Sequence, residues 1–266
     1  MKVGVFRGAE QDERVLSTMK AFEEGLDAVG ADWFKSQGRY QPCDVAVIWG
    51  ISSAAFPHTA YRDAIRMAQP NTIVLERGFV KRDKYYAAGW GDTAGLADFC
   101  NKDMSADRWR KLHVDLKKMR NPSDEGHTLV LGQIPWDTAV QHVVYEKWLE
   151  DVLKVFVDNK VNVMFRKHPL MKQPFEPKGV PIAPPTASLD ECFLGANEVV
   201  ALNSTGLVDA TIAGIPTIAC DGRAMVPELA QGRRQWAADL AYAQWSHKEL
   251  AQGLAFKHLI EGRGLC

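Results

Sequence analysis

Val199-Val200-Ala201-Leu202-Asn203-Ser204-Thr205-Gly206-Leu207-Val208-Asp209-Ala210-Thr211-Ile212-Ala213-Gly214-Ile215-Pro216-Thr217-Ile218-Ala219-Cys220-Asp221 is the stretch on which the reading of the fold turns. Val199 to Leu202 has the length and composition of a buried strand, and so does Thr217 to Cys220. Leu207 to Ala213 is about two turns of helix, stopped by Gly214 and kept from continuing by Pro216. Asn203, Ser204 and Thr205 therefore stand where a strand ends and a helix begins. Backbone N–H groups at such a start lack partners within the helix, and the helix dipole favours an anion. The three residues read either as a phosphate cradle, with the Ser204 and Thr205 hydroxyls as extra donors, or as plain helix caps.

Working outward, the same strand-then-helix rhythm recurs in both directions. Lys2 to Phe6 predicts a first strand, and Val15, Met19, Phe22, Leu26 and Val29 share one helical face that ends at Gly30. Asp32 to Phe34, Val45 to Trp49 and Thr72 to Leu75 read as further strands, with a helix over Pro57 to Gln69 between the last two. Arg77 to Cys100 interrupts the rhythm and reads as a long functional loop rich in glycine, aromatics and charge. Ser105 to Arg120 predicts a helix with Trp109, Leu112, Leu116 and Met119 inward. Asn121 to Gly126 is the best linker candidate. The pattern then restarts with a strand over Thr128 to Leu131. A long helix over Thr138 to Asn159 follows, with Val140, Val144, Trp148, Val152 and Phe156 inward. Another strand spans Asn162 to Phe165, and a proline-broken loop runs on to Pro185. Ser188 with Glu191, and Ser246 with Glu249, have capping-box spacing, the second starting a final helix towards Leu259.

Strand and helix alternating at this spacing imply parallel sheets wrapped by helices. The fold class is α/β, with two Rossmann-like domains facing across a cleft: residues 1–122, residues 127–245, and a C-terminal helix over 246–266 that crosses back to the first domain. Ligands of such folds bind at the carboxyl ends of strands. Glu76, Asp137, His168 and Asn203 to Thr205 each follow a predicted strand there.

Composition narrows the function classes. A 46% hydrophobic and 24% charged chain supports proper cores, and 32 Lys+Arg against 33 Asp+Glu leave a net charge of −1. No global drive towards nucleic acid or membrane follows from that balance. The five cysteines, Cys43, Cys100, Cys192, Cys220 and Cys266, form no Cys-x-x-Cys pair, which argues against a disulfide framework or a zinc site. A cytoplasmic protein without signal peptide or membrane span is the expectation. No phosphate-loop or dinucleotide fingerprint follows the first strand, and no ligand-spaced cluster suggests a metal.

Each candidate side chain carries a chemical and a plainer reading. Asp137 is a helix N-cap or a cleft carboxylate acting as base or nucleophile at an electrophilic carbon. Glu76 pairs with Arg77 or is the second carboxylate that glycosyl chemistry requires. His168, beside Arg166 and Lys167, is structural or a phosphate partner or general acid. Asp209 is a solvated helix residue or a ribose acceptor. Lys81-Arg82-Asp83-Lys84-Tyr85-Tyr86 joins charge to stacking surface, which suits a nucleic acid or a sugar chain, or is a solvated loop packed by its own rings.

Four segments in order resemble those of the bacterial capsule-polysaccharide β-Kdo glycosyltransferases, which have the two-domain glycosyltransferase-B fold. Glu76-Arg77-Gly78-Phe79 is similar to that family's Glu-Asp-Gly-Phe segment. Leu131-Gly132-Gln133-Ile134-Pro135-Trp136-Asp137 is similar to its Gly-Gln-x-x-x-Asp element. Arg166-Lys167-His168-Pro169 matches its Lys/Arg-Pro-His-Pro element, except that Lys167 replaces a proline. Asn203 to Ala210 resembles its Ser/Asn-Ser-x-x-x-x-Glu-Ala stretch with Asp209 in place of Glu, and Gly214 and Pro216 follow as in the family. The likeness runs from about Val45 to Asp221.

The resemblance implies a metal-independent glycosyltransferase without a cofactor, taking a CMP- or UDP-linked sugar as donor substrate. Residues 1–122 would be the acceptor domain and residues 127–245 the donor domain. Asp137, Glu76 and His168 would be catalytic, with Asp137 at the anomeric carbon and Glu76 as acid/base partner near the acceptor. His168, Arg166, Asn203, Ser204, Thr205 and Asp209 would hold the nucleotide and its phosphate. Arg77, Lys81, Arg82, Tyr85 and Tyr86 would meet the acceptor, either a surface glycan or a hydroxylated base in DNA, as in phage DNA glycosyltransferases of the same general fold. The setting would be a bacterial cell or a phage-infected host. The competing readings are a nucleotide-sugar epimerase of the same fold and a non-catalytic nucleotide or nucleic-acid binding module.

Overall fold

In the computed structural model residues 1–8, 12–171, 175–227 and 232–265 are described; Cys266 and residues 172–174 of the proline-broken loop lie outside them. In chain order the elements are β1 (Lys2–Arg7), α1 (Glu13–Ala28), β2 (Asp32–Gln37), β3 (Val45–Trp49), α2 (Tyr61–Ala68), β4 (Thr72–Arg77), β5 (Tyr85–Trp90) and α3 (Asp107–Leu112). There follow β6 (His127–Leu131), α4 (Tyr145–Asp158), β7 (Val163–Arg166), α5 (Leu189–Cys192), β8 (Ala196–Ala201), α6 (Gly206–Ile212) and β9 (Thr217–Ala219). The chain closes with α7 (Arg233–Tyr242), β10 (Gln244–Ser246), α8 (His247–Ala251) and α9 (Leu254–Gly262). Every strand that the apolar runs predict is present, and the architecture is α/β.

The chain divides into two compact units, Met1–Val114 with Arg234–Cys266, and Asp115–Arg233. The first holds a six-stranded sheet in the order β10-β5-β4-β3-β1-β2, parallel from β2 to β4, with β5 antiparallel to β4 and β10 antiparallel to β5. The second holds a four-stranded parallel sheet in the order β7-β6-β8-β9. β3 is buried along its whole length because both faces are covered. Val45, Val47 and Trp49 pack with Phe22, Leu26, Leu250 and Leu259, while Ala46 and Ile48 pack with Phe6, Ile65 and Val74. In the second unit, Leu129, Val199 and Leu207 lie in one core and Val130, Val200, Leu149 and Phe165 in the other, one on each face of the sheet.

Several expectations change. The segment Arg77 to Cys100 is not a free loop: β5 runs through it, paired with β4 from Ile73↔Trp90 to Arg77↔Tyr86. Tyr86, Ala88 and Trp90 point into the core, and only small residues, Ala87 and Gly89, alternate with them, which hides the period-two signal. The helix expected to reach Arg120 stops at Leu112, where His113 takes a left-handed conformation (φ 49°). Leu116 and Met119 therefore face no helical core, and Met119 is exposed. Beyond it, Lys117 N–H donates to Ile212 C=O and Arg120 N–H to Gly214 C=O, so this strap already belongs to the second unit. Gly214 (φ 77°) permits the approach, since a Cβ there would lie 2.1 Å from the Lys118 carbonyl oxygen. The polar run Asn121 to Gly126 is inside the second unit too, with Ser123 held through its N–H and C=O by Asn197.

The helix expected from Thr138 begins only at Tyr145. Its fully buried face is Tyr145, Leu149 and Leu153; Trp148, Val152 and Phe156 flank that face, and Val144 is 73% exposed. The final helix starts at the Ser246–Glu249 capping box as its sequence predicts, but is split into α8 and α9. Both pack against α1 in the first unit. The return begins upstream of residue 246, because β10 adds to β5 and α7 precedes it.

Candidate active site

Because β6 to β9 are parallel, the segments that follow them share one edge of the second unit's sheet. That edge carries Gln133 and Asp137 after β6, Arg166 to His168 after β7, Asn203 to Thr205 after β8, and Asp221 after β9. Asp137 is exposed and caps a tight turn, not a helix. Its Oδ1 accepts the Ala139 N–H at 2.9 Å, with Thr138 Oγ1 at 3.4 Å, and its carbonyl takes the Val140 N–H. Oδ2 receives no hydrogen bond among the described residues. The Ala139 carbonyl, which a helix would assign to the Val143 N–H, instead accepts from Asn203 Nδ2 at 2.8 Å. That is the local reason α4 starts late.

Asn203 is 7% exposed and held by a reciprocal pair with Gln133. Its N–H donates to Gln133 Oε1 (3.1 Å), and Gln133 Nε2 donates to Asn203 Oδ1 (2.8 Å). The second hydrogen of Nδ2 goes to Asp221 Oδ2 at 2.8 Å, and the same oxygen receives His142 Nε2 at 2.9 Å. The Gln133 N–H donates to the Tyr145 hydroxyl at 2.5 Å; burial pushes that phenol up to about 12. Every N–H of Asn203 thus has a protein acceptor. Ser204 makes the cap bond, its Oγ accepting the Gly206 N–H at 3.2 Å, whereas Thr205 makes no side-chain cap bond. Asp209 stands half-buried in the first turn of α6.

Arg166, Lys167 and His168 line a pocket of about 250 Å³ with Pro169, Met171 and Ile182 among its walls. His168 Nδ1 accepts the Leu170 N–H at 3.1 Å, which fixes the ring against the loop that follows β7. Arg166 Nη2 donates to the Ala187 carbonyl at 3.3 Å, and its buried Nε meets no acceptor among the described residues. The lining joins basic side chains to apolar ones, a composition suited to an anionic group on an apolar or planar body.

In the first unit Glu76 ends β4 half-buried, its Oε1 accepting the Arg77 N–H at 2.8 Å. A Cβ on Gly50 would lie 3.2 Å from both Glu76 Oε2 and Arg62 Nη1, so the glycine makes room where carboxylate and guanidinium converge. The turn after Glu76 is tied by Gln244, whose Oε1 accepts from Phe79 N–H (2.8 Å) and Val80 N–H (2.9 Å). Arg77, Lys81 and Arg82 are exposed and Tyr85 is half-buried. Tyr86 is not: it is 4% exposed, stacked on His247 at 4.4 Å, so it offers no surface to an acceptor. Gln133, His142, Tyr145, Asp221, Arg62 and Gln244 were not singled out for any role by sequence. Gln133 and Asp221 carried a signal, since both follow a predicted strand as the other candidates do.

No protein-family model matches the chain, and comparison with curated proteins finds no match. Solved structures do. Thermosulfurimonas dismutans KpsC, beta Kdo 2,4 transferase, superposes with a TM-score of 0.58 at 11% identity over 90% of this chain and 89% of that one. The beta Kdo 2,7 transferase of the same organism's KpsC gives 0.55 at 13% identity over 97% and 99%. The fold is that of these transferases. Methanocaldococcus jannaschii UDP-GlcNAc 2-epimerase aligns over 82% of this chain and 83% of that one at 11% identity, with a TM-score of 0.30. Among the described residues no three His, Cys, Asp or Glu side chains gather as a metal site, and no helix is long and apolar enough to cross a membrane.

Proposed function

We propose that the protein is a glycosyltransferase that moves a sugar from a nucleotide-activated donor to a hydroxyl acceptor. The observation that carries this reading is the single sheet edge of the second unit. There an exposed carboxylate, Asp137, stands on the same edge as the Arg166–His168 pocket and the start of α6. The fold shared with the KpsC transferases supports it. Residues 115–233 take the donor, and the first unit, with Glu76 and the basic turn, takes the acceptor.

In this reading His168 Nε2, the Arg166 guanidinium and the hydroxyls of Ser204 and Thr205 hold the donor phosphate, and Asp209 meets the ribose. Phosphate bound there is stabilised as the leaving group while the glycosidic bond breaks. Asp137 acts at the anomeric carbon, as base or as nucleophile, and Glu76 exchanges the acceptor proton. The donor is a CMP-linked ulosonic acid such as Kdo or a UDP-hexose. The acceptor, a glycan or a hydroxylated base in DNA, meets Arg77, Lys81, Arg82 and Tyr85.

A thermal-shift panel of nucleotides and nucleotide sugars tests the donor, because stabilisation follows occupancy. Asp137→Ala should abolish transfer and keep the nucleotide-induced shift; full turnover in that variant would sink the mechanism. A steep loss of duplex-DNA binding with added salt, weakened by Arg82→Ala, separates a DNA acceptor from a neutral glycan.

A further inference from the structure

Asn203 sits beside the residues assigned to phosphate, yet its hydrogen bonds lead elsewhere. The reciprocal pair with Gln133 fixes the side-chain amide, which aims both Nδ2 hydrogens at fixed acceptors, Ala139 C=O and Asp221 Oδ2. Ala139 is also the residue whose N–H donates to Asp137 Oδ1. Asp221 pins the same loop a second time through His142 Nε2 (2.9 Å), and its Oδ1 accepts the Arg223 N–H at 3.3 Å. Asp137 itself is exposed, so packing does not orient it.

We propose that Asn203 and Asp221 are positioning residues for Asp137, acting through the Ala139 and His142 anchors of the loop 137–143, and that neither contacts the donor phosphate. The proposal rests on Asp137 being the reacting carboxylate. Asn203 engages Asp137 through the two polar groups of one alanine, and a carboxylate displaced by about 1 Å loses on the order of 10²-fold in rate. Releasing the Ala139 carbonyl would let the turn relax towards the helix that the sequence of 138–144 favours. That would carry Asp137 into a helix N-cap.

The test compares Asn203→Ala and Asp221→Asn with the wild-type chain in three measurements. These are hydrogen exchange of the amides of residues 137–143, calorimetric affinity for CMP and UDP, and steady-state turnover of CMP-Kdo and UDP-glucose. Expected are faster exchange confined to that loop, nucleotide Kd within about twofold, and kcat reduced roughly 10- to 100-fold at unchanged KM. The double variant Asn203→Asp with Asp221→Asn restores a donor–acceptor pair between the two positions and should recover part of kcat relative to Asn203→Asp alone. A tenfold weaker nucleotide with unchanged loop exchange would make Asn203 a ligand contact and overturn the proposal, as would unchanged kcat. If wild type binds neither nucleotide, the transferase reading fails, and the exchange result still decides whether the pair anchors the loop. If Asn203→Ala does not fold, Asp221→Asn, which keeps the side-chain volume, carries the same measurements.

Discussion

Gln244→Leu isolates one buried polar contact in the first unit. Gln244 is 0% exposed and belongs to β10, 165 positions from Phe79, whose N–H it receives. Its Oε1 accepts from Phe79 and Val80, and its Nε2 donates to the Val80 carbonyl at 3.2 Å. Leucine keeps most of the volume and removes all three bonds. Two buried N–H groups are left without acceptors, each costing about 1–3 kcal/mol, so the expected loss is roughly 2–6 kcal/mol. For a unit of this size that corresponds to a fall in Tm of roughly 6–18 °C, at about 3 °C per kcal/mol. Scanning calorimetry on the full chain reads it. Hydrogen exchange of the amides of β4 and β5, which belong to that unit, identifies which transition moved. A Tm within about 2 °C of wild type would refute the reasoning, because the turn after Glu76 would then satisfy its amides without Gln244.

Two further outcomes follow from burial. His127, His247 and His258 each titrate below the ordinary 6.5 because burial penalises the imidazolium; at His258 the Arg108 charge adds to this while the Phe99 carbonyl, 2.9 Å from Nε2, opposes it. The unfolded chain therefore binds protons first. Stability should be full above 6.5 and fall as pH drops through the folded values, and His258→Gln should flatten a Tm profile taken between about pH 7 and pH 5; a profile unchanged by that substitution contradicts this. Leu149→Ala on α4 should cost about 2–5 kcal/mol by urea denaturation, whereas Val144→Ala, just before that helix, should cost about 0.5 kcal/mol or less. Equal costs would mean that the face assigned to the core is wrong.

The strands and caps were legible because their causes are local. Val45 to Trp49 and Val199 to Leu202 are apolar runs whose burial needs only a covered sheet, and Ser188–Glu191 and Ser246–Glu249 form both bonds of the capping box within one turn. Asp137, His168 and Ser204 were legible as candidates because parallel topology sends every strand end to the same edge. The extent of α3 and α4 was not legible, since the apolar spacing continues past the point where tertiary bonds stop the helix. Ala139 gives its carbonyl to Asn203, and Lys117 and Arg120 give their N–H groups to the Ile212–Gly214 segment. Tyr86 read as stacking surface because two of the partners that bury it, β10 and His247, come from a distant part of the chain.

Sequence alone determined the α/β class, the positions of the parallel strands along the chain and the short list of polar residues at their ends. Only the tertiary structure decided which partners those residues meet. Gln133 and Asn203 are 70 positions apart, and folding gives each N–H of Asn203 an acceptor within the protein. A side chain's free donors are what remains after its neighbours are satisfied, and those neighbours are assembled by folding.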